Sequence, residues 1–249
     1  MRRVPRCGAL AALALVQGSA GAAVIGPPQV SVEAITDYRR RGISWSDGQA
    51  AASVFARLPV GSFAVEAEAL TTRGDPRHGR ADAAIDVAGR YDHDLGAISL
   101  DGGVIGHLFP GAGGLAYVEL DGGGSLLLGP ARLGARASYA PRQDAIGGDN
   151  LHLGADLSVA VIGTPFTARA GIGRSSGDAR EGPRGGRAFR LRPRGDYADY
   201  MVGFDYVLSA LTMGVRFTGT ADDQFDRSVA PLLARNTGER LSAFARVSF

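Results

Sequence analysis

The chain has 249 residues, with 27 Arg and no Lys against 25 acids, a formal net charge of +2, and 45% apolar residues. This composition excludes intrinsic disorder, and 37 Gly without a three-residue period exclude collagen. No run beyond residue 24 reaches the roughly 18 consecutive apolar residues of a membrane-crossing helix, which excludes a helical integral membrane protein.

The amino terminus opens with Arg2, Arg3 and Arg6, continues through an apolar run from Ala9 to Val16, and ends on Ser19-Ala20-Gly21-Ala22. That is the three-part layout of a secretory signal peptide over residues 1–22, with cleavage expected after Ala22. Cys7 falls inside it, so the exported segment 23–249 would hold no thiol, and disulfides and cysteine chemistry drop out. Cleavage also removes three Arg and no acid. With 24 Arg then facing 25 acids, nothing favours a nucleic-acid partner.

From Gln29 onward, apolar and polar residues alternate with a period near two, the signature of β-strands with two unlike faces. Twelve strands are predicted. The first, Gln29 to Tyr38, sets Val30, Val32, Ala34, Thr36 and Tyr38 against Ser31, Glu33, Ile35 and Asp37. A second lies near 49–58, and a third over 63–71 opposes Phe63, Val65 and Ala67 to Glu66 and Glu68. The fourth, 81–91, opposes Ala83, Ile85 and Val87 to Asp82, Asp86 and Arg90, and others follow near 97–108 and 115–128. The seventh pits Leu133, Ala135, Ala137 and Tyr139 against Arg132, Arg136 and Ser138. The eighth pits Leu151, Leu153, Leu157 and Val159 against His152, Asp156 and Ser158. The remaining four fall near 166–173, 196–206, 211–218 and 240–249.

The predicted connections alternate in length, every odd one longer than its even neighbours. In an up-and-down sheet, successive connections lie at opposite ends, so one end carries tight turns and the other large loops, as in bacterial outer-membrane barrels. The short end has Pro59-Val60-Gly61-Ser62, Gly129-Pro130 and Gly163-Thr164-Pro165, and an even strand count brings both termini there. If the polar faces met lipid, Arg57, Arg132, Arg136, Arg169, Arg216 and Arg246 would each cost roughly 2–4 kcal/mol near the midplane, a sum rivalling the stability of a domain. The charged face must therefore line the interior. A secreted sheet sandwich would alternate in the same way but accommodates twelve meandering strands poorly. The last strand, Leu241 to Phe249, ends with an aromatic in phase with its apolar face, as in the signal read by the bacterial barrel-assembly machinery. Tyr38, Tyr91, Phe109, Tyr139, Tyr200, Phe204, Tyr206 and Phe217 are the candidates for thin interfacial girdles.

Thr36-Asp37-Tyr38, followed by Arg41-Gly42-Ile43-Ser44 and Asp47-Gly48, resembles the opening signature of the TorF family of porins. Tyr117-Val118-Glu119-Leu120 and the Gly129-Pro130 turn leading to Ala137-Ser138-Tyr139-Ala140-Pro141 extend the likeness over most of the exported chain. The resemblance implies an outer-membrane barrel acting as a porin. Arg39 and Arg40 depart from the family's less charged residues, as does the Arg-rich loop described next, so any shared solute preference does not carry over.

Twelve strands about 4.8 Å apart and tilted by roughly 40° enclose a backbone radius of about 12 Å. The residues expected to line it are Glu33, Arg57, Glu66, Glu68, Asp82, Asp86, Asp101, Glu119, Arg132, Arg136, Asp156, Arg169, Arg216 and Arg246. They would make either a narrow wet channel for small hydrophilic solutes or ions, or an interior knitted shut by ion pairs. The loop from Arg174 to Gly195 holds seven Arg against Asp178 and Glu181. Arg180, Arg184, Arg187, Arg190, Arg192 and Arg194 could clamp lipopolysaccharide phosphates, fold inward as an anion-attracting constriction, or simply be solvated.

Chemistry beyond conduction finds little footing. His107 and His152 fall on the inward phase without a Ser two positions on, whereas a lipid hydrolase needs a His beside a Ser nucleophile on the lipid face. Asp92-His93-Asp94 is expected in a tight turn as solvated residues and not as a metal site, and Gly122-Gly123-Gly124 as a site of strand bending or close packing. The expectation is thus an all-β, up-and-down transmembrane barrel in the bacterial outer membrane, a passive channel without cofactor or catalysis. The alternatives are a closed barrel whose outer loops contact lipopolysaccharide or an external partner, and a barrel-embedded lipid hydrolase.

Overall fold

The structure, a computed structural model, describes residues 25–178, 187–193, 195–222 and 236–249. The expected signal peptide and Arg180, Arg184 and Arg194 lie outside the described residues. In chain order the strands are β1 (Gln29–Ile35), β2 (Arg39–Arg40), β3 (Ile43–Ser44), β4 (Ala51–Val60), β5 (Phe63–Thr71), β6 (Ala83–Leu95) and β7 (Ile98–Leu108). There follow β8 (Tyr117–Leu128), β9 (Ala131–Gln143), β10 (Gly148–Ala160), β11 (Phe166–Ser176), β12 (Tyr197–Leu208), β13 (Leu211–Asp222) and β14 (Arg240–Ser248). Twelve of these close into one antiparallel barrel in which β1 pairs with both β4 and β14, while β2 and β3 form a separate two-stranded sheet.

Closure follows from the alternation. On the outer face Val32, Val54, Val65, Val104, Leu133 and Phe204 remain exposed, whereas their strand neighbours Glu33, Ser53, Ala64 and Ser138 are buried. Register carries the inward phase from strand to strand, through Glu33 opposite Arg246, Arg57 opposite Glu66, Glu68 opposite Asp86 and Asp86 opposite His107. Neighbouring strands thus present their charged residues to the same enclosed space, where opposite charges come within reach of one another.

The two ends differ as expected. Connections 61–62, 96–97, 129–130 and 209–210 are two-residue turns that open on a residue with positive φ, Gly61, Gly96, Gly129 and Ser209, as the twist of an antiparallel pair requires. Both ends of the barrel sequence meet there: Phe249 N donates to Val30 O at 2.8 Å, and Ile25 bridges Val60. The long connections 36–50, 72–82 and 109–116 gather at the other end, with the described residues of the connections after β11 and β13.

Two expectations need correction. The connection 144–147 is shorter than 161–165, because β9 and β10 each run to 13 residues and absorb the predicted loop, with a register shift between Gly148 and Asn150. Tyr38 and Phe109 belong to no outer girdle: Phe109 is buried with Trp45, Leu70, Ala84, Tyr117 and Ile146 in an apolar cluster that Tyr38 packs against. The outer aromatics at the short-turn end are instead the edge-on pairs Phe63–Tyr91 and Phe166–Tyr206, each with ring centroids 5.2 Å apart.

Val104 and Val215 sit mid-strand on the outward face. Replacing either with Arg is expected to cost about 2–4 kcal/mol in urea titrations of the protein refolded into lipid vesicles. A cost within 0.5 kcal/mol, the usual range for an ordinary solvent-facing position, would contradict the assignment of that face to lipid.

Candidate functional site

The first long connection does not extend outward. Residues 36–50 fold back inside the barrel, where Ile43 is 4%, Trp45 7% and Ser46 0% exposed. The fold is local in origin. β2 and β3 are joined by the two-residue turn Arg41-Gly42, with φ of 50° and 73°, which suits a tight hairpin. Asp37, 1% exposed, organises its base by accepting from Ser44 Oγ at 2.5 Å, Ser46 Oγ at 3.2 Å and Arg39 Nη1 at 3.0 Å. Ser44 Oγ also accepts from Gly48 N at 2.8 Å, and Tyr38 N donates to Ser46 Oγ at 3.0 Å.

The hairpin reaches across the lumen. Arg40 bonds Glu68 of β5 at 2.9 Å and Asp86 of β6 at 2.5 Å, and its guanidinium lies 4.3 Å from the Trp45 ring. Burial opposes the Arg40 charge, but Tyr38, Asp86 and Glu68 more than offset it and hold its pKa above the usual Arg value. Arg41 meets Glu119 of β8 at 2.9 Å. At the tip, a Cβ on Gly42 would lie 2.7 Å from Gly219 O, 2.8 Å from Thr220 Cγ2 and 2.9 Å from Asp199 Cβ, so the turn abuts β12 and β13 on the far wall.

Beneath the hairpin a second network ties β4 to β9. Arg57 contacts Glu66 and Asp92; Arg90 contacts Glu66 at 2.7 Å, Asp121 at 2.7 Å and Asp101 at 3.4 Å; Arg136 bridges Asp101 at 2.9 Å and Asp121. Glu33 holds Arg246 at 2.5 Å, Arg169 holds Asp205, and Arg216 lies 4.4 Å from the Phe244 ring. Thirteen of the fourteen expected lining residues therefore share the inward phase, Arg132 and Asp156 among them as exposed side chains. Asp82 does not: it is exposed in the connection ahead of β6, because that strand begins at Ala83.

Of the outer-loop arginines, Arg187 is exposed, but Arg190 and Arg192 are each only 6% exposed and turn inward. Arg190 donates to the carbonyls of Arg77, Leu115 and Ala145 at 2.7, 2.9 and 2.6 Å, and Arg192 pairs with Asp196. Neither is placed to clamp lipid phosphates. Sequence reasoning missed the lining roles of Arg40, Arg41, Asp121, Asp199 and Asp205. Asp121, Asp199 and Asp205 could have been found by phase alone, but no strand period reveals a loop that turns inward.

The histidines fall into distinct surroundings. His107 Nδ1 lies 2.7 Å from Asp86 and its Nε2 3.4 Å from Glu119, which joins the anchors of Arg40 and Arg41. His152 Nδ1 lies 3.0 Å from Ser175 Oγ, so a Ser does neighbour this His, supplied by the adjacent strand. Asp199 approaches that same nitrogen at 3.7 Å, so Ser and Asp compete for one end of the ring and do not flank it as a proton relay requires. Asp92-His93-Asp94 lies within β6 and not in a turn; Asp92 points inward to Arg57 while His93 stacks on Tyr91 at 6.3 Å, so the three cannot converge on a metal. Among the described residues no cluster of three or more His, Cys, Asp or Glu is arranged for a metal. Gly123 faces inward, where a Cβ would lie 3.3 Å from the Arg136 guanidinium, in keeping with close packing.

Gly42→Ala places a methyl against backbone on the far wall at a positive φ. The substitution is expected to lift the hairpin from its seat and destabilise the protein by more than about 1 kcal/mol. Trp45, the chain's single Trp, reports this: its emission should shift to the red, and an unchanged spectrum would contradict the packed tip.

The solved structures that the barrel resembles share its fold. The NanC porin matches with a TM-score of 0.56 and 13% identity over 88% of this chain and 98% of its own. The COG4313 outer membrane channel from Pseudomonas putida F1 matches with a TM-score of 0.51 and 12% identity over 94% and 98%. No curated protein sequence matches the chain. Residues 22–231 match the model of Gcw_chp, described as a bacterial protein of unknown function, and the chain belongs to that family.

Proposed function

We propose that this protein is an outer-membrane channel of porin type for passive diffusion of small hydrophilic solutes or ions, with its aperture set by the β2–β3 hairpin. The observation that carries the reading is a closed barrel with aliphatic residues on its outside and a connected field of Arg and carboxylates on its inside. A water-soluble barrel would have no reason to leave Val104, Leu133 and Phe204 bare, since each buried aliphatic side chain contributes about 1.5–3 kcal/mol. Acyl chains supply that burial. The barrel-shaped neighbours described as a porin and an outer membrane channel support the same reading, as does the resemblance of the opening motif to the TorF porins. A family match that begins at residue 22 is in keeping with a signal peptide over 1–22, export, and insertion by the barrel-assembly machinery through the Phe249 strand. Exposed Arg187 at the long-loop end is the described candidate for lipopolysaccharide contact.

The hairpin favours a second reading, because a turn that touches both walls can close the lumen outright. Arg40 and Arg41 are about a fifth and a quarter exposed, so their pairs lie between a surface pair, worth under about 1 kcal/mol, and a buried one, whose disruption costs about 3–5. Together they can hold the hairpin in place yet release it at a cost of a few kcal/mol.

Planar-bilayer conductance tests the channel and its constriction together. Wild type is expected to give small unitary steps, and Arg40→Ala/Arg41→Ala or replacement of residues 39–44 by a Gly-Ser linker is expected to enlarge them at least twofold. A wild type and a hairpin-less variant that are both silent would refute the channel. Steps of equal size would refute the hairpin as its limit.

A further inference from the structure

We propose that acid releases the hairpin from its outer contacts, because the seam between it and the connection 72–82 is built around His78, whose protonated form the packed seam cannot hold. The seam is an aromatic stack. His78 ends the single helical turn Pro76–His78, and its ring lies 4.5 Å from that of Trp45 in the hairpin and 4.9 Å from that of Phe109, nearly parallel to the latter. Trp45 and Phe109 share an apolar cluster with Leu70, Ala81 and Tyr117, so the stack joins the hairpin to the wall at the long-loop end.

Nothing in this seam receives a charged imidazole. His78 is 3% exposed, and among the described residues neither of its ring nitrogens has a hydrogen-bond partner or access to solvent. A neutral ring forgoes one N–H bond there, whereas a doubly protonated ring would bury a whole charge with no acceptor, which is far less favourable. The cations around it oppose a proton as well: Arg77 on its own connection, Arg40 on the hairpin, and Arg190, whose Nε bonds Arg77 O at 2.7 Å. The acids facing the same space are already engaged. Asp75 pairs with Arg77 at 2.5 Å, Asp86 with Arg40 at 2.5 Å and His107 at 2.7 Å, Glu68 with Arg40 at 2.9 Å, Glu119 with Arg41 at 2.9 Å, and Glu66 with Arg90 at 2.7 Å. Tyr117 and Tyr197 on the same wall are uncharged phenols near neutral pH.

Burial, with Arg77, Arg190 and Arg40 adding to it, holds the His78 pKa well below the usual imidazole range while the seam is packed. Once the seam opens, the ring meets water and takes a proton at about 6.5. The packed state therefore has its full advantage above that value and loses it as the pH falls below, by a factor that approaches about tenfold at pH 5.5. His107 does not share this behaviour. Its nitrogens face Asp86 at 2.7 Å and Glu119 at 3.4 Å, so a second N–H finds an acceptor with no movement of the chain. The effect on conduction rests on the channel reading, since a hairpin freed of its outer contacts gives the wider state described above; the acid response of the seam does not.

The test reads the seam without a current. In the full chain carrying Cys7→Ser, Ala81→Cys supplies the single thiol at a position 5% exposed within the same cluster. Its rate of reaction with dithiodipyridine in detergent micelles is compared, at pH 8 and at pH 5.5, with that of the same protein carrying His78→Phe, a ring that fills the stack and cannot ionise. Taking the ratio at each pH cancels the reagent's own pH dependence. The ratio should rise about fivefold to tenfold on acidification. His78→Gln, equally unable to ionise, takes the place of His78→Phe should that variant not fold. A ratio constant within about twofold, or one that falls, would overturn the acid-labile seam. In planar bilayers the wider steps should be more frequent at pH 5.5 than at pH 8 in wild type and not in His78→Phe; wide steps equally frequent in both proteins would overturn the release of the hairpin. A thiol response without current at either pH would uphold the seam and count against the channel.

Discussion

Every strand of the barrel needs two hydrogen-bonded neighbours, and the structure depends on meeting that demand for the first and last. β1 satisfies one edge with β4 and the other with β14, and Glu33 seals the seam to Arg246 from the inside. Closing the sheet removes every free edge, which in hydrocarbon would leave backbone groups unpaired at several kcal/mol each. Once the ring is closed, the alternation along each strand leaves no further choice: one set of side chains faces outward, and the other shares an enclosed space in which most of the charge is paired.

Within that space the two walls divide the work. β4 to β9 carry the linked chain of Arg57, Glu66, Arg90, Asp121 and Arg136, while inward positions on β10 to β13 include Gly154, Gly171, Gly173, Gly203 and Gly214. A Cβ at Gly173 would lie 2.5 Å from His152 and 2.7 Å from Asp199. Missing side chains on one strand thus let long ones on the next lie flat against the wall. The hairpin completes the arrangement, since its arginines reach the carboxylates Glu68, Asp86 and Glu119 near the long-loop end.

The barrel was legible because its rule is local: a period of two, short turns at one end and long loops at the other can be read residue by residue. Phase alone assigns Glu66, Asp86 and Arg136 to one face of their strands, the face that the structure turns inward, and it misplaces Asp82 because the strand starts one residue later. The β2–β3 hairpin was not legible, for a different reason. A loop's direction depends on partners far away in sequence, and nothing in Arg39-Arg40-Arg41 says that Glu68, Asp86 and Glu119 will be within reach. The motif Asp37-Tyr38 with Arg41-Gly42-Ile43-Ser44 was visible, but its meaning was not. Its Asp is the buried acceptor for two serines and an Arg, and its Gly occupies a position where a methyl would strike the opposite wall. For Arg190 the sequence left an inward fold as one of three readings, since its turn inward depends on carbonyls in three separate connections.

The seat of the hairpin tip also constrains the order of assembly. Gly42 rests on Gly219 and Thr220, and Asn236 reaches Asp47 at 2.8 Å, so segments made early lean on segments made nearly last. Those surfaces do not exist until β13 and β14 have joined the ring. The arginines of the hairpin can meet Glu68, Asp86 and Glu119 before then, but its tip cannot take its final seat until the chain's end has joined its beginning.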